Sequence, residues 1–278
     1  MSAVRRLARA VSGRLGRESA VIRALRPAYN WALHVATFGR GIWWTVNGRE
    51  RYRIDPFLRQ YFQPEYDPLV HAFLRERVQP GSVVLDVGAN LGIYALCLAE
   101  WVGPRGRVFA FEPNPAARAV LEKHVALNGF AHRVTVVGAA ISDAAGEATF
   151  NAAGIEGYSR LGVENPDLPG GTPITVPVTT LDTFCAGERI APDWIVLDIE
   201  GYEVAALRGA RDTIGSGRGR LRLIVEMHPT LWAASGTSRA ELESLLAELE
   251  LRPVPLTGQR DALGEYGIVA LEPVAGGS

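Results

Sequence analysis

The sequence predicts a doubly wound α/β fold, in which a mostly parallel sheet carries helices on both faces. Three observations predict it. Short apolar, β-branched runs recur at residues 82–87, 107–111, 134–137, 194–198 and 221–227. Stretches with apolar residues at helical spacing separate most of them, as at 115–127 and 203–213. The breaks carry Pro80-Gly81, Gly103-Pro104 and Asn128-Gly129, which stop helices and turn chains. Strands that alternate with helices at this spacing build βαβ units, and those give a parallel sheet.

A chain of 278 residues holds one large domain with a sizeable extension. Its 47% hydrophobic and 21% charged residues are those of an ordinary globular protein. The expected division is a basic helical N-terminal extension over 1–45 and a main domain over 46–278. A net charge of −1 gives no overall pull toward nucleic acid. Cys97 and Cys185 are too few for a disulfide framework, which points to a reducing, cytoplasmic compartment. No run of about 18 apolar residues reads as a membrane span.

The extension comes first. Residues 1–26 hold Arg5, Arg6, Arg9, Arg14, Arg17, Arg23 and Arg26 against one acid, Glu18, a net +6. Val4, Leu7, Ala8, Val11 and Leu15 recur at helical spacing, so the segment reads as a basic amphipathic helix. It has three readings: a tail docked on the main domain, a helix lying on an anionic membrane surface, or an organellar transit peptide, whose Arg-rich, acid-poor composition it shares. On the second reading Trp31, Phe38, Trp43 and Trp44 are interfacial anchors and the protein is peripheral at the membrane.

Residues 45–54 read as a hairpin turned at Asn47-Gly48. Asp67-Pro68 caps and opens a helix that continues through Leu69, Phe73, Leu74 and Val78. The first core strand follows at 82–87, and the next helix passes Tyr94, Ala95, Leu98 and Trp101. Strand 107–111, helix 115–127 and strand 134–137 come next. The rhythm changes over 139–178, where short alternating runs surround a Gly/Pro-rich loop at 154–173. This is expected to be a β-rich insertion with a mobile segment, suited to a lid. Strand 194–198, helix 203–213 and strand 221–227 restore the pattern. Helix 239–250 and a closing pair near 252–256 and 267–272 end it, with one antiparallel strand expected near the C-terminus.

Ligands of such sheets bind outside the carboxyl ends of the parallel strands. The stretch Val83-Val84-Leu85-Asp86-Val87-Gly88-Ala89-Asn90-Leu91-Gly92 reads as a buried strand that ends in an acid and turns through glycines into a helix. Asp86, Glu112, Asp198 and Glu226 all fall at or just past strand ends. Four converging carboxylates call for a cationic or hydroxyl-rich ligand, or a metal. S-adenosylmethionine fits them. Asp86 would lie near its amino group and sulfonium, and Gly88, Ala89, Asn90 and Gly92 would form the close-approach turn, with Asn90 bonding the methionine part. Glu112, 26 positions after Asp86, would accept both ribose hydroxyls. Pro113 would shape the adenine wall, flanked by Ala140 and Ile141. A nicotinamide dinucleotide is the alternative. It wants G-x-G-x-x-G, and Gly88-Ala89-Asn90-Leu91-Gly92 lacks the central glycine, while Asp86 would repel a pyrophosphate.

Leu85-Asp86-Val87-Gly88-Ala89-Asn90-Leu91-Gly92-Ile93-Tyr94, Phe111-Glu112-Pro113-Asn114, Asp198-Ile199-Glu200-Gly201-Tyr202-Glu203 and Val225-Glu226-Met227-His228-Pro229 resemble, in this order, the FkbM family of methyltransferases. The resemblance runs from about residue 65 to 230. It implies a class I, Rossmann-like S-adenosylmethionine-dependent fold that methylates a hydroxyl on a sugar, polyketide or other specialised metabolite. One departure stands out. The family often has a lysine just before the acid of the fourth strand, and here Leu197 occupies that position.

The acceptor side is less determined. Asp198 and Glu200 flank the end of the fourth strand, and Glu226 and His228, two apart in a strand, share a face. His228 reads as the general base, oriented by Glu226 or Asp198; such a base contributes about 10²–10⁴-fold. No metal is assigned, and the competing reading sets a divalent ion on Asp198, Glu200, Glu226 and His228. Tyr158, Ser159 and Arg160 either line the acceptor pocket or form a plain loop. The expected partner is a small-molecule or glycan hydroxyl acceptor. Nucleic acid is disfavoured, because the catalytic half lacks a basic stripe and an Asn-Pro-Pro-Tyr-type motif. The competing functions are a nicotinamide oxidoreductase and a non-catalytic, membrane-associated cofactor-binding scaffold; the intact Asp86, Asn90 and Glu112 argue against the scaffold.

Overall fold

The computed structural model describes residues 20–155, 159–162 and 171–274. Residues 1–19 of the expected basic helix, and Tyr158, lie outside the described residues. Contacts divide the chain into two units, Met1–Tyr66 and Asp67–Ser278. The sequence reading set its boundary at residue 45, so the hairpin stands with the first unit.

In the first unit, helix α1 (Ala20–Ala36) precedes a hairpin of strands β1 (Ile42–Val46) and β2 (Glu50–Ile54). Asn47 and Gly48 both take left-handed φ values, 48° and 68°, which the tight turn requires and which these residue types tolerate. The first strand starts three residues earlier than the sequence reading placed it, because Ile42 pairs with Ile54. Trp44 packs on Phe62 edge-on at 5.1 Å and donates its indole N–H to the Gln63 carbonyl at 2.9 Å. The Asn47 side chain exchanges hydrogen bonds with the backbone of Tyr66 at 2.8 and 2.9 Å. Asn30, buried on α1, accepts from Arg59 Nε at 2.9 Å.

The second unit is built on a seven-stranded sheet. Helix α2 (Pro68–Arg77) leads into β3 (Val83–Val87), α3 (Ile93–Trp101), β4 (Arg107–Phe111), α4 (Pro115–Leu127) and β5 (Val134–Val137). After an insertion come α5 (Leu181–Glu188), β10 (Trp194–Leu197), two short helices, β11 (Arg222–Met227), α8 (Arg239–Glu248), β12 (Leu251–Pro255) and β13 (Gly267–Pro273). The strand order is β12-β13-β11-β10-β3-β4-β5, with β13 antiparallel to both its neighbours. The doubly wound sheet and its single antiparallel strand are therefore as the sequence indicates. The order of strands reverses between β3 and β10, the place where such sheets open a crevice.

Side chains alternate between two cores. Leu85, Val87, Phe109, Phe111, Ile195 and Leu197 face one side. Val84, Val108, Ala110, Trp194, Val196 and Ile224 face the other. Both faces are buried, which explains why the strands read as continuous apolar runs. Each fully buried Leu, Val or Phe contributes roughly 1.5–3 kcal/mol. One cross-strand row runs Val225, Leu197, Val87, Phe111, Val137. The residues immediately after the first four members of that row are Glu226, Asp198, Gly88 and Glu112.

Two local expectations differ from the structure. The helix expected over 203–213 is two, α6 (Glu203–Arg208) and α7 (Arg211–Ser216). Gly209 ends the first, pressed against Ser142, whose carbonyl lies 2.2 Å from where a Cβ would stand. The Asp182 carboxylate caps the second by accepting from Asp212 and Thr213 N–H at 3.1 and 2.7 Å. Asp67 does not cap α2: its φ of 38° turns the carboxylate away, and it accepts from the Tyr94 hydroxyl at 3.4 Å.

The insertion forms a separate four-stranded sheet in the order β6-β9-β7-β8, from β6 (Ala140–Ile141), β7 (Gly146–Ala152), β8 (Arg160–Leu161) and β9 (Thr172–Thr179). Ala140, Phe150, Leu161, Val176 and Val178 make its small core.

Candidate active site

The turn after β3 is shaped by close contact. Gly88 has φ 92°, and a Cβ there would lie 1.7 Å from the Asp198 carbonyl oxygen. Only glycine lets the end of β3 lie against the end of β10. Gly88 and Ala89 both donate N–H to the Phe111 carbonyl, at 3.1 and 2.9 Å. Asn90 is left-handed at φ 45° and donates its N–H to Glu112 Oε2 at 2.8 Å. Gly92 closes the turn at φ 90°, with Leu121 2.5 Å from its would-be Cβ.

Two buried carboxylates face this turn. Glu112 is 6% exposed; its other oxygen accepts from Asn114 N–H at 2.8 Å. Each Glu112 oxygen thus holds one backbone N–H and keeps a second lone pair for a hydroxyl. Burial raises its pKa to about 7, against the pull of those two N–H bonds. Asp86 is 3% exposed, and its Oδ2 has no hydrogen-bond partner. Burial, and then the Glu112 charge, raise its pKa to about 7. An orphaned buried carboxylate beside a tight glycine turn fits a ligand with a cationic end, and Glu112 fits its hydroxyls. S-adenosylmethionine has both. Pro113 follows, partly exposed. Ala140 and Ile141 are spent on the two cores, at 5% and 2% exposure, so a ligand there would meet backbone rather than a side-chain wall.

Across the Gly88 contact lies the second cluster. Glu200 and Gly201 are consecutively left-handed, with φ 51° and 96°. Gly201 allows this because a Cβ would meet that of Leu231 at 2.6 Å. The strain at Glu200, of order 1–3 kcal/mol, directs its side chain back over the strand end. Glu200 Oε2 and Asp198 Oδ1 lie 3.8 and 3.9 Å from His228 Nε2. His228 Nδ1 lies 2.9 Å from Glu203 Oε1. Glu203 is fully buried and also accepts from Gly201 N–H at 2.7 Å and from the Trp232 indole at 2.8 Å.

Burial alone would lower the pKa of His228, but the Glu203 hydrogen bond and the charges of Glu203, Asp198 and Glu200 raise it to about 10. The ring is an imidazolium at neutral pH. Glu200 is raised to about 7 by desolvation and by repulsion from Glu226 and Glu203, against the pull of His228. Asp198 is raised well above the ordinary carboxylate range by desolvation and then by Glu226.

All four acceptor-side residues of the sequence reading meet here, with two revisions. Glu203, not Glu226 or Asp198, is the group hydrogen-bonded to the His228 ring, and Glu226 instead accepts from the Tyr266 hydroxyl. Tyr266 tilts over the His228 ring at 5.4 Å. Sequence reasoning quoted Glu203 as a helix start and within the family motif but gave it no role, and it passed over Tyr266, 40 residues from its partner in a turn without periodicity. Ligand atoms of Asp198, Glu226 and His228 lie within 4.8 Å of one another, so a divalent ion is also geometrically admissible. Ser159 accepts from Ala153 N–H at 2.9 Å, and Arg160 is 1% exposed with Nη2 2.6 Å from Ser235 Oγ. Ser159 also accepts from Asn114 Nδ2 at 3.2 Å, and Arg160 Nε and Nη1 are buried without a hydrogen-bond partner.

Residues 86–252 match the model of the methyltransferase FkbM domain. The chain is 26% identical over 179 residues to the hexuronic acid methyltransferase AglP of Haloferax volcanii, covering 64% of this chain and 66% of that one. It is 42% identical over 76 residues to the 31-O-demethyl-FK506 methyltransferase FkbM of Streptomyces tacrolimicus, 27% of this chain and 28% of that one. It is 48% identical over 71 residues to the AMB antimetabolite synthetase AmbE of Pseudomonas aeruginosa, 26% of this chain and 3% of that one. The chain thus spans less than two thirds of these relatives' own lengths. Among solved structures, the methyltransferase FkbM from Methylobacillus flagellatus aligns with TM-score 0.46 at 18% identity, covering 72% of this chain and 50% of that one.

Proposed function

The chain belongs to the FkbM family of methyltransferases, whose methyl donor is S-adenosylmethionine, and we propose that it methylates a hydroxyl on a sugar, glycan or specialised metabolite. Family membership does not favour the nicotinamide oxidoreductase reading. The observation that carries the proposal is the Gly88–Asp198 contact, which brings the carboxylate-rich end of β10 against the glycine turn after β3, as an acceptor beside a cofactor would require. A hydroxyl needs its proton removed as it reacts, and the rim holds groups for that task. One relative is named for a sugar acceptor, a hexuronic acid, and another for a 31-O position.

S-adenosylmethionine supplies the methyl group on a sulfonium, so the protein's task is to place the acceptor oxygen and manage its proton. Asp86 Oδ2 would hold the cofactor's cationic end, and Glu112 its ribose hydroxyls. Sequence reasoning made His228 the base. An imidazolium has no free lone pair, so His228 enters as a cation whose charge, 3.9 and 3.8 Å from Asp198 and Glu200, holds the two carboxylates in place. Glu200, poised near 7, takes the proton, and half-exposed Asp198 orients the acceptor hydroxyl. Glu226, tied by Tyr266, walls the rim.

The test is transfer of a labelled methyl group to a panel of hydroxylated glycans, uronic acids and metabolites. Glu200→Gln is expected to lose roughly 10²-fold in kcat with cofactor affinity kept. Labelling confined to amine acceptors, or undiminished turnover in Glu200→Gln, overturns the reading.

A further inference from the structure

Helix α1 carries an apolar face that no other described residue of its own unit covers. Val21, Leu25, Ala28, Ala32 and Val35 recur at steps of four and three, so they stack along one side of the helix. All are exposed, Val21, Leu25 and Val35 at 53%, 55% and 49%. Ala24 and Trp31 widen the stripe on one flank, and Phe38 extends it past the helix end; Trp31 is 62% and Phe38 88% exposed. The other side of α1 is where Asn30 and Leu33 are buried. Among the described residues ten large hydrophobics are exposed, and six of them fall between Val21 and Trp43. Scattered exposed apolar residues are ordinary; a contiguous stripe with two aromatics is not.

The charge of the same unit says what the stripe meets. Residues 1–66 hold twelve arginines against four acids, a net +8, and the remaining chain is −9. Trp43 on β1 is flanked by the guanidinium groups of Arg53 and Arg51, 4.5 and 5.1 Å from its ring, a pairing of flat apolar ring and cation suited to an interface of tails and headgroups. We propose that the exposed face of α1, with Trp31 and Phe38 as its anchors, docks on an anionic lipid bilayer. A second copy of the chain is the other natural occupant of a four-three stripe. Two copies would bring together units of like charge, and the stripe is wider than a two-residue seam. An anionic surface gains from the arginines and covers the whole face. Among the described residues no helix is long and apolar enough to cross a membrane, so the association is with a surface. The inference is independent of the methyltransferase reading.

The test is flotation of the full chain with phosphatidylcholine vesicles, with and without phosphatidylglycerol. Binding is expected only with phosphatidylglycerol and is expected to weaken as salt is raised. The double variant Trp31→Ser, Phe38→Ser is expected to lose binding by at least about tenfold. Its thermal shift with S-adenosylmethionine is expected to match that of the parent, which controls for folding. Failure to float with phosphatidylglycerol overturns the proposal, and equal flotation with neutral vesicles overturns the anionic partner. A dimer in light scattering that the double variant abolishes assigns the face to a second copy and overturns it as well.

Discussion

Glu203 Oε1 and His228 Nδ1 lie 2.9 Å apart with both side chains buried, and this pair anchors the carboxylate cluster of Asp198 and Glu200. Glu203→Gln keeps the shape and removes the charge. The His228 pKa is expected to fall from about 10 toward its ordinary value, readable by NMR of the ring. Turnover is expected to fall as well, because the cation that holds Asp198 and Glu200 loses its charge partner. An unchanged ring pKa would refute the role of Glu203.

Glu200, with its pKa raised to about 7, sets a pH profile. It is deprotonated above about 7, so kcat is expected to rise with pH up to that value and level off. Below it the rate falls about tenfold per unit. Glu200→Asp would retain a rising limb, whereas Glu200→Gln would lose it. A limb that persists in Glu200→Gln assigns it to Asp198.

Asp86 and Glu112 link stability to pH. Both have folded-state pKa values raised to about 7, above their unfolded ones. Each therefore favours folding below its unfolded pKa, near 4, and loses that contribution as pH rises through 7. The cofactor-free protein is expected to melt at a higher temperature at pH 6 than at pH 7.5, and Asp86→Asn to flatten this dependence. In calorimetry Asp86→Asn and Glu112→Ala are expected to weaken S-adenosylmethionine binding by about tenfold or more.

Gly88→Ala places a methyl group 1.7 Å from the Asp198 carbonyl at φ 92°. Stability is expected to fall by about 3 kcal/mol or more, measured by denaturant unfolding. A soluble, stable Gly88→Ala protein with normal cofactor affinity would show that the two strand ends are not held together.

Chelation separates two uses of the rim. Activity after EDTA treatment is expected to be unchanged, because Glu200 takes the proton and His228 serves only to hold the carboxylates. Loss of activity in EDTA restored by a divalent cation would assign Asp198, Glu226 and His228 to a metal, for which their spacing is adequate.

The placement of the glycine turn and its two buried carboxylates at adjacent strand ends was legible because those residues are fixed by local pattern. Asp86, Gly88 and Glu112 are marked by the ends of continuous apolar strands, which a sheet buried on both faces imposes. The acceptor half was legible as a set of acids but not as a network. Which carboxylate meets His228 depends on how α6 packs on β11, and Glu203 is 25 residues from it. Tyr266 reaches Glu226 across 40 residues from a turn. The break between α6 and α7 follows from Gly209 meeting Ser142, a tertiary contact that propensity does not record. Asp67 had the right residue type for a cap, but its backbone conformation turned it to Tyr94.

The contact of Gly88 with the Asp198 carbonyl also constrains how the enzyme can diversify. One backbone atom is shared by the two half-sites, so neither main chain can shift without disturbing the other. New acceptor preferences must then arise by exchanging side chains on a frozen frame, or through the insertion sheet and the 229–235 turn to which Arg160 ties it. Divergence in such a lineage should accumulate at those peripheral positions while the meeting point of the strands stays invariant.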